Sequence, residues 1–283
     1  MTKSKVLPIN MKPETRLSFH LSTVLSEDRY PWFYEHFINI KVWGESKVYM
    51  DFVDNIIDES YRALYSERVC YTSKMIPNEE QLIHILTDII DRKFYSYLWL
   101  DKFEIPDTVE YHNYHFVHPV LVYGYDDVER VLYILNFTWS KGSYLQKVSY
   151  EDIKKAFLLM NEQIENNFYM MGGDTVLISY KVNQNIGKQQ FNIKRYLKEL
   201  SNYIFSRSDS IAENYPDHYV TCEYGLNGYK KLLDVCDHVS DGLEIAFKSL
   251  FDLNLHKQYM YERLCYILYK YDISFKTAEN IKN

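Results

Sequence analysis

The chain has 283 residues, enough for one large domain or two small ones with a sizeable core. Lysine and arginine total 32 against 39 acids, a net charge of −7, so there is no global attraction for nucleic acid or an anionic membrane, and neither is an expected partner. The opening MTKSKVLPINMKPETR lacks the apolar core of a signal peptide, and the four cysteines (Cys70, Cys222, Cys236, Cys265) form no CxxC pair, which fits a reducing cytoplasm and argues against a disulfide scaffold or structural zinc. In chain order, FINIKVW (37–43) and KVYMDFV (47–53) flank Gly44 and read as a hairpin. Asn78 with Gln81 is a capping box, and the helix after it puts Leu82, Ile85, Leu86, Ile89 and Ile90 on one face. Strands are predicted at FYSYLWL (94–100), at 119–125 and 131–137 around the polar turn DDVER, and at DTVLISYKV (174–182). Ser149 caps a helix beginning at Tyr150, and three helical stretches follow at 191–205, 224–239 and 242–271. The polar stretch NQNIGKQQ (183–190) reads as a linker. The expectation is therefore an α+β domain with a mostly antiparallel sheet over 1–185 and a small helical domain over 186–283. The 28 tyrosines are read as filling core and surface, with an aromatic-lined pocket as the sharper alternative.

Three histidines, His112, His115 and His118, recur at spacings of three. Pro119 pushes His118 out of the helical region, and in an extended chain His115 points away from the other two. No acidic fourth ligand stands out, so no metal is expected here. With DDVER as the turn, Gly124 faces Arg130 and His118 faces Asn136. Cross-strand Cβ atoms lie about 5 Å apart, so the imidazole and the carboxamide would meet. An amide that fixes one ring nitrogen leaves the other free as a base. The plain alternative is an ordinary hairpin with a half-exposed His and Asn.

The segment HPVLVYGYDDVERVLYILNF, followed by VSYEDIKKAF and preceded by SYLWLDKFEIP, resembles papain-like cysteine peptidase relatives. The branch it is most similar to is the bacterial biosynthetic one typified by the amino-terminal domain of butirosin biosynthesis protein H, together with the double-glycine leader peptidases. The resemblance covers about 78 to 160 well and 15 to 77 more loosely. It implies a papain-like domain in which His118 matches the catalytic histidine and Asn136 its orienting partner.

The family's cysteine opens the first helix, where a helix start lowers a thiol's pKa and offers N–H groups to an oxyanion. The matching region, 15–37, has no cysteine. His20 occupies the place by position, either as an acid–base partner of His118 or as a polar residue left where a cysteine was lost. Ser18 and Ser22 are the candidate oxygen nucleophiles, and Cys70, at the start of a predicted strand, is a third repair. Asp101, His115 and Tyr123 are candidate cleft residues, although strand alternation makes a core role the safer reading for Tyr123 and Tyr125.

Two functions follow. In the first, the protein transfers an acyl group from an acyl or peptidyl carrier-protein thioester to a small amine, as the resemblance implies for nonribosomal peptide or other specialised-metabolite biosynthesis. It has no cofactor of its own, the acyl substrate arrives on a phosphopantetheine arm, and Lys141, Lys147, Lys154 and Lys155 offer a basic patch to an acidic carrier. In the second, it is a catalytically inactive binding or scaffold protein for a carrier domain or intermediate. A homodimer through the helical domain is a further expectation.

Overall fold

The structure is a computed structural model and describes residues 3–10, 19–24, 29–45, 47–53, 64–138, 142–165, 175–185, 190–208, 222–238 and 244–272. In chain order the elements are β1 (Ser4–Val6), α1 (Phe19–Val24), α2 (Tyr30–Tyr34), β2 (Ile40–Trp43), β3 (Lys47–Phe52), β4 (Tyr65–Thr72), α3 (Glu79–Asp91), β5 (Tyr95–Asp101), β6 (Val117–Asp126), β7 (Val131–Thr138), β8 (Gly142–Ser149), α4 (Tyr150–Glu165), β9 (Thr175–Val182), α5 (Ile193–Ile204), β10 (Glu223–Tyr224), α6 (Gly225–Asp237), β11 (Glu244–Ile245) and α7 (Phe247–Lys270). The protein is α+β with mostly antiparallel strand pairing. It divides into two compact units, Met1–Leu25 with Ala63–Gln184, and Ser26–Arg62 with Asn185–Asn283. The division after Gln184 falls within the polar stretch 183–190, and the second unit also takes in the predicted 37–53 hairpin.

The first unit holds a seven-stranded sheet in the order β4-β9-β5-β6-β7-β8, with β1 pairing β6. The Asn78 side chain accepts from the Gln81 backbone at 2.9 Å to start α3, and Glu79 and Glu80 favour the positive end of the helix dipole. Lys93 at φ 66° ends it in the left-handed region, turning the chain into β5. Leu82, Ile83, Leu86, Ile89 and Ile90 are the buried stripe; Ile85, expected in it, is only half-buried. The Ser149 hydroxyl accepts from the Asp152 backbone to start α4, which packs on α3 and β5. Gly124 is required: a Cβ there would lie 2.8 Å from the carbonyl oxygen of Lys5 in β1, which pairs with β6 at this point.

The second unit is not helices alone. It carries a four-stranded sheet, β10-β2-β3-β11, whose β2–β3 hairpin turns at Gly44 with φ 101°. Fully buried Arg263 on α7 donates to the carbonyls of Tyr34 (2.9 Å), His36 (2.5 Å) and Phe37 (3.3 Å). The guanidinium thus satisfies backbone acceptors of the segment that leads into β2. His256, also on α7, donates from Nε2 to the Ile38 carbonyl at 3.0 Å.

Candidate functional site

β5 and β6 are antiparallel neighbours whose last paired residues are Asp101 and Val117. The intervening loop folds back on itself: Lys102 N donates to Phe116 O at 2.9 Å and His112 N to Phe103 O at 3.0 Å. Asp107 (φ 59°) and His112 (φ 53°) take left-handed backbone to allow the reversal. Asp101 opens a short 3-10 turn, Lys102–Glu104, and its carboxylate is fully buried. One oxygen accepts from the backbones of Phe103 and Phe116, each at 3.0 Å, and the other meets His115 Nδ1 at 2.7 Å. A carboxylate has no proton to give, so His115 carries its proton on Nδ1 and its Nε2 is left as an acceptor. The His115 side chain is 47% exposed, so that nitrogen belongs to a ring open to solvent.

The expected His118–Asn136 pair is not formed. The β6–β7 turn closes on Asp126 opposite Val131, not on Gly124 opposite Arg130, and the register is Leu121 with Leu135 and Val122 with Ile134. The cause is turn chemistry. Asp126 Oδ1 accepts from the Val128 and Glu129 backbones at 2.8 and 3.0 Å, and Arg130 sits at φ 54°, which tightens the loop to 127–130. A bulge at Tyr123 shifts the pairing once more. Asn136 is fully buried with its amide nitrogen on Tyr144 Oη (3.3 Å) and Gln146 Oε1 (3.1 Å), while its oxygen accepts from Phe137 N (2.8 Å). His118 Nδ1 donates instead to the Pro119 carbonyl at 2.9 Å. Desolvation, then the nearby Lys102 ammonium, push the His118 pKa down to about 4. Its ring is neutral at physiological pH and a weak base.

Lys102 is itself buried and donates to the Phe137 carbonyl at 2.6 Å, tying the loop to β7. Burial pushes its ammonium down to about 8, against the pull of Glu110. Glu110 Oε2 is buried with no hydrogen-bond partner among the described residues. The three histidines therefore part company: His112 lies 3.7 Å from Glu104, His115 is on Asp101, and His118, already in β6, is on its neighbour's carbonyl. Among the described residues no group of three His, Cys, Asp or Glu side chains is arranged to hold a metal ion.

The other candidates fall as follows. Ser22 on α1 is 1% exposed, and His118 makes no hydrogen bond to it, so it is not placed as a nucleophile activated by that ring. Ser18 and the side chain of His20 lie outside the described residues. Cys70 is exposed on β4, an outer strand of the sheet with β9 and β5 between it and β6. Tyr123 is buried at the bulge beside Tyr133, as a core residue. Of the expected basic patch, Lys147 is paired with Glu129 and Lys154 is buried between Glu80 and Glu151; Lys155 is exposed, and Lys141 lies outside the described residues. No helix among the described residues is long and apolar enough to cross a membrane.

The His115–Asp101 bond is the contact that sequence reasoning missed, although both residues had been expected near a cleft. The available signal was position. A loop between two adjacent antiparallel strands brings its ends together, so an aspartate closing β5 and a histidine two residues before β6 become neighbours despite lying 14 residues apart. No protein-family model matches this chain, and no curated protein matches it.

Proposed function

We propose that the protein transfers an acyl group from a carrier-protein thioester to an amine, with His115 as the general base and Asp101 as the group that orients it. The reading is supported by one contact above all, the 2.7 Å bond that commits His115 Nδ1 to a buried carboxylate and leaves Nε2 on a half-exposed ring. In this reaction the amine nitrogen attacks the thioester carbonyl carbon and its proton passes to His115 Nε2. The C–S bond then breaks, and the imidazolium returns the proton to the departing thiolate. The resulting imidazolium is stabilised by Asp101 at the moment it forms. No covalent acyl-enzyme is needed, which suits a chain whose papain-like resemblance lacks the family's cysteine. The donor would be a phosphopantetheine-bound acyl or peptidyl group, the acceptor a small amine, and the setting cytoplasmic specialised metabolism. The test is amide formation from an acyl-loaded carrier protein and an amine. His115→Ala is expected to lose about 100-fold or more in rate, and His118→Ala to stay within a few-fold of wild type. Equal rates in wild type and His115→Ala would end this reading.

A second reading, a papain-like shell that binds a carrier domain or intermediate without chemistry, is favoured by the saturated Asn136 amide and the low basicity of His118. It predicts carrier binding with no turnover in any of the three proteins.

A further inference from the structure

We infer that the acyl group handled at this site carries an aromatic ring, an inference that deepens the acyl-transfer reading and rests on it. Asp101 gathers rings as well as hydrogen bonds. Its two oxygens hold the backbones of Phe103 and Phe116 and the imidazole of His115. The Phe103 ring stacks on His115 with centroids 4.6 Å apart and planes 20° apart. Phe116 stacks on His118 at 5.5 Å and 22°, and His118 in turn lies parallel to Phe137 at 6.5 Å and 24°. Rings that merely fill a core end up buried. Here Phe116 is 38% exposed, the His115 side chain 47% exposed, and Phe103, His118 and Phe137 only half-buried. Two stacks, Phe103 on His115 and Phe116 on His118 on Phe137, joined through the one buried carboxylate that holds Phe103, His115 and Phe116 and partly open to solvent, are preorganised to accept another flat ring by offset stacking. The ring that His115 offers for stacking is the same one whose Nε2 would take the proton, so a stacked aryl group holds its acyl carbon beside the base.

The experiment compares two thioesters of nearly equal size on the full-length protein, phenylacetyl- and cyclohexylacetyl-N-acetylcysteamine, by isothermal titration calorimetry without amine. Stacking contributes beyond buried area, so the phenyl compound is expected to bind about five-fold more tightly. Phe116→Leu, a change at an exposed ring, is expected to bring the two affinities together without weakening the cyclohexyl compound. Equal affinities in the wild type, a cyclohexyl preference, or no binding of either compound overturns the inference. Adding an amine separates it from the acyl-transfer reading. Amide formed equally from both thioesters, with equal affinities, keeps acyl transfer and overturns the aryl preference. A phenyl preference with no amide from either keeps the ring site and overturns acyl transfer.

Discussion

His115 in the first unit and His256 in the second are each held by one strong acceptor, yet they are set up for opposite purposes. His115 donates its Nδ1–H to a buried carboxylate and keeps about half its side chain in solvent. His256 is fully buried against the rings of Phe52 and Tyr203, donates its Nε2–H to a backbone carbonyl, and leaves Nδ1 buried without a partner among the described residues. Desolvation pushes its pKa down to about 4. The difference teaches that a histidine's partner and solvent access decide its chemistry. A carboxylate beside an open ring fixes the tautomer and leaves the other nitrogen facing solvent, and a carbonyl inside an aromatic core holds a neutral packing group.

The comparison can be broken most forcefully at Asp101. Asp101→Ala removes the acceptor of two backbone N–H groups and an imidazole from a buried position, and should cost about 3–5 kcal/mol in urea denaturation. Asp101→Asn keeps an oxygen for the backbone donors and should cost less than half of that. A surface aspartate contributing little would show no such gap.

A somewhat smaller effect sharpens the other half of the comparison. Because the folded pKa of His256 lies below its unfolded value, its stabilising neutrality is complete above about pH 6.5. Below that the unfolded chain binds the proton first, and stability falls until about pH 4, where the folded ring binds it too. The contribution is on the order of 3 kcal/mol across that window. Urea midpoints measured from pH 7 to pH 4 should drop, and His256→Leu should flatten the curve in part, since His118 shifts in the same direction.

Smaller again is the electrostatic coupling at the loop. Lys102→Met removes the cation that helps hold His118 down, so the His118 titration followed by NMR should move above pH 4. An unchanged midpoint would mean that burial alone sets it. The smallest change lies away from both histidines: Ser149→Ala removes the cap of α4 and should cost about 1 kcal/mol in thermal or chemical unfolding.

Where the sequence was legible, short-range physics decided the outcome. The Asn78 cap, the Ser149 cap, the Gly44 hairpin and the strands β5, β6, β7 and β9 follow from caps, turns and periodicity within a few residues. Strand β8 is not foreseen, because YLQKV alternates weakly and is mostly half-buried as an outer strand. The site failed at register. Reading DDVER as a five-residue turn ignored the capacity of Asp126 to cap its own turn, and the Tyr123 bulge carries no mark in the sequence. The turn displaces the partner of His118 by three residues and the bulge restores one, which leaves Asn136 two residues out of line with His118. The outer strands of the second unit's sheet are hidden for another reason. Its strands come from segments more than a hundred residues apart, Ile40–Trp43 pairing with Glu223–Tyr224, and such pairing leaves no local pattern.

The account stands on the hydrogen bond between His115 and Asp101, and histidine ¹⁵N NMR at pH 8 reads it without any substrate. The neutral His115 ring should carry its proton on Nδ1 in the wild type and revert to a mixture of tautomers in Asp101→Ala. A wild-type His115 protonated on Nε2, or already a mixture, would contradict it, because the nitrogen assigned as the base would then be occupied.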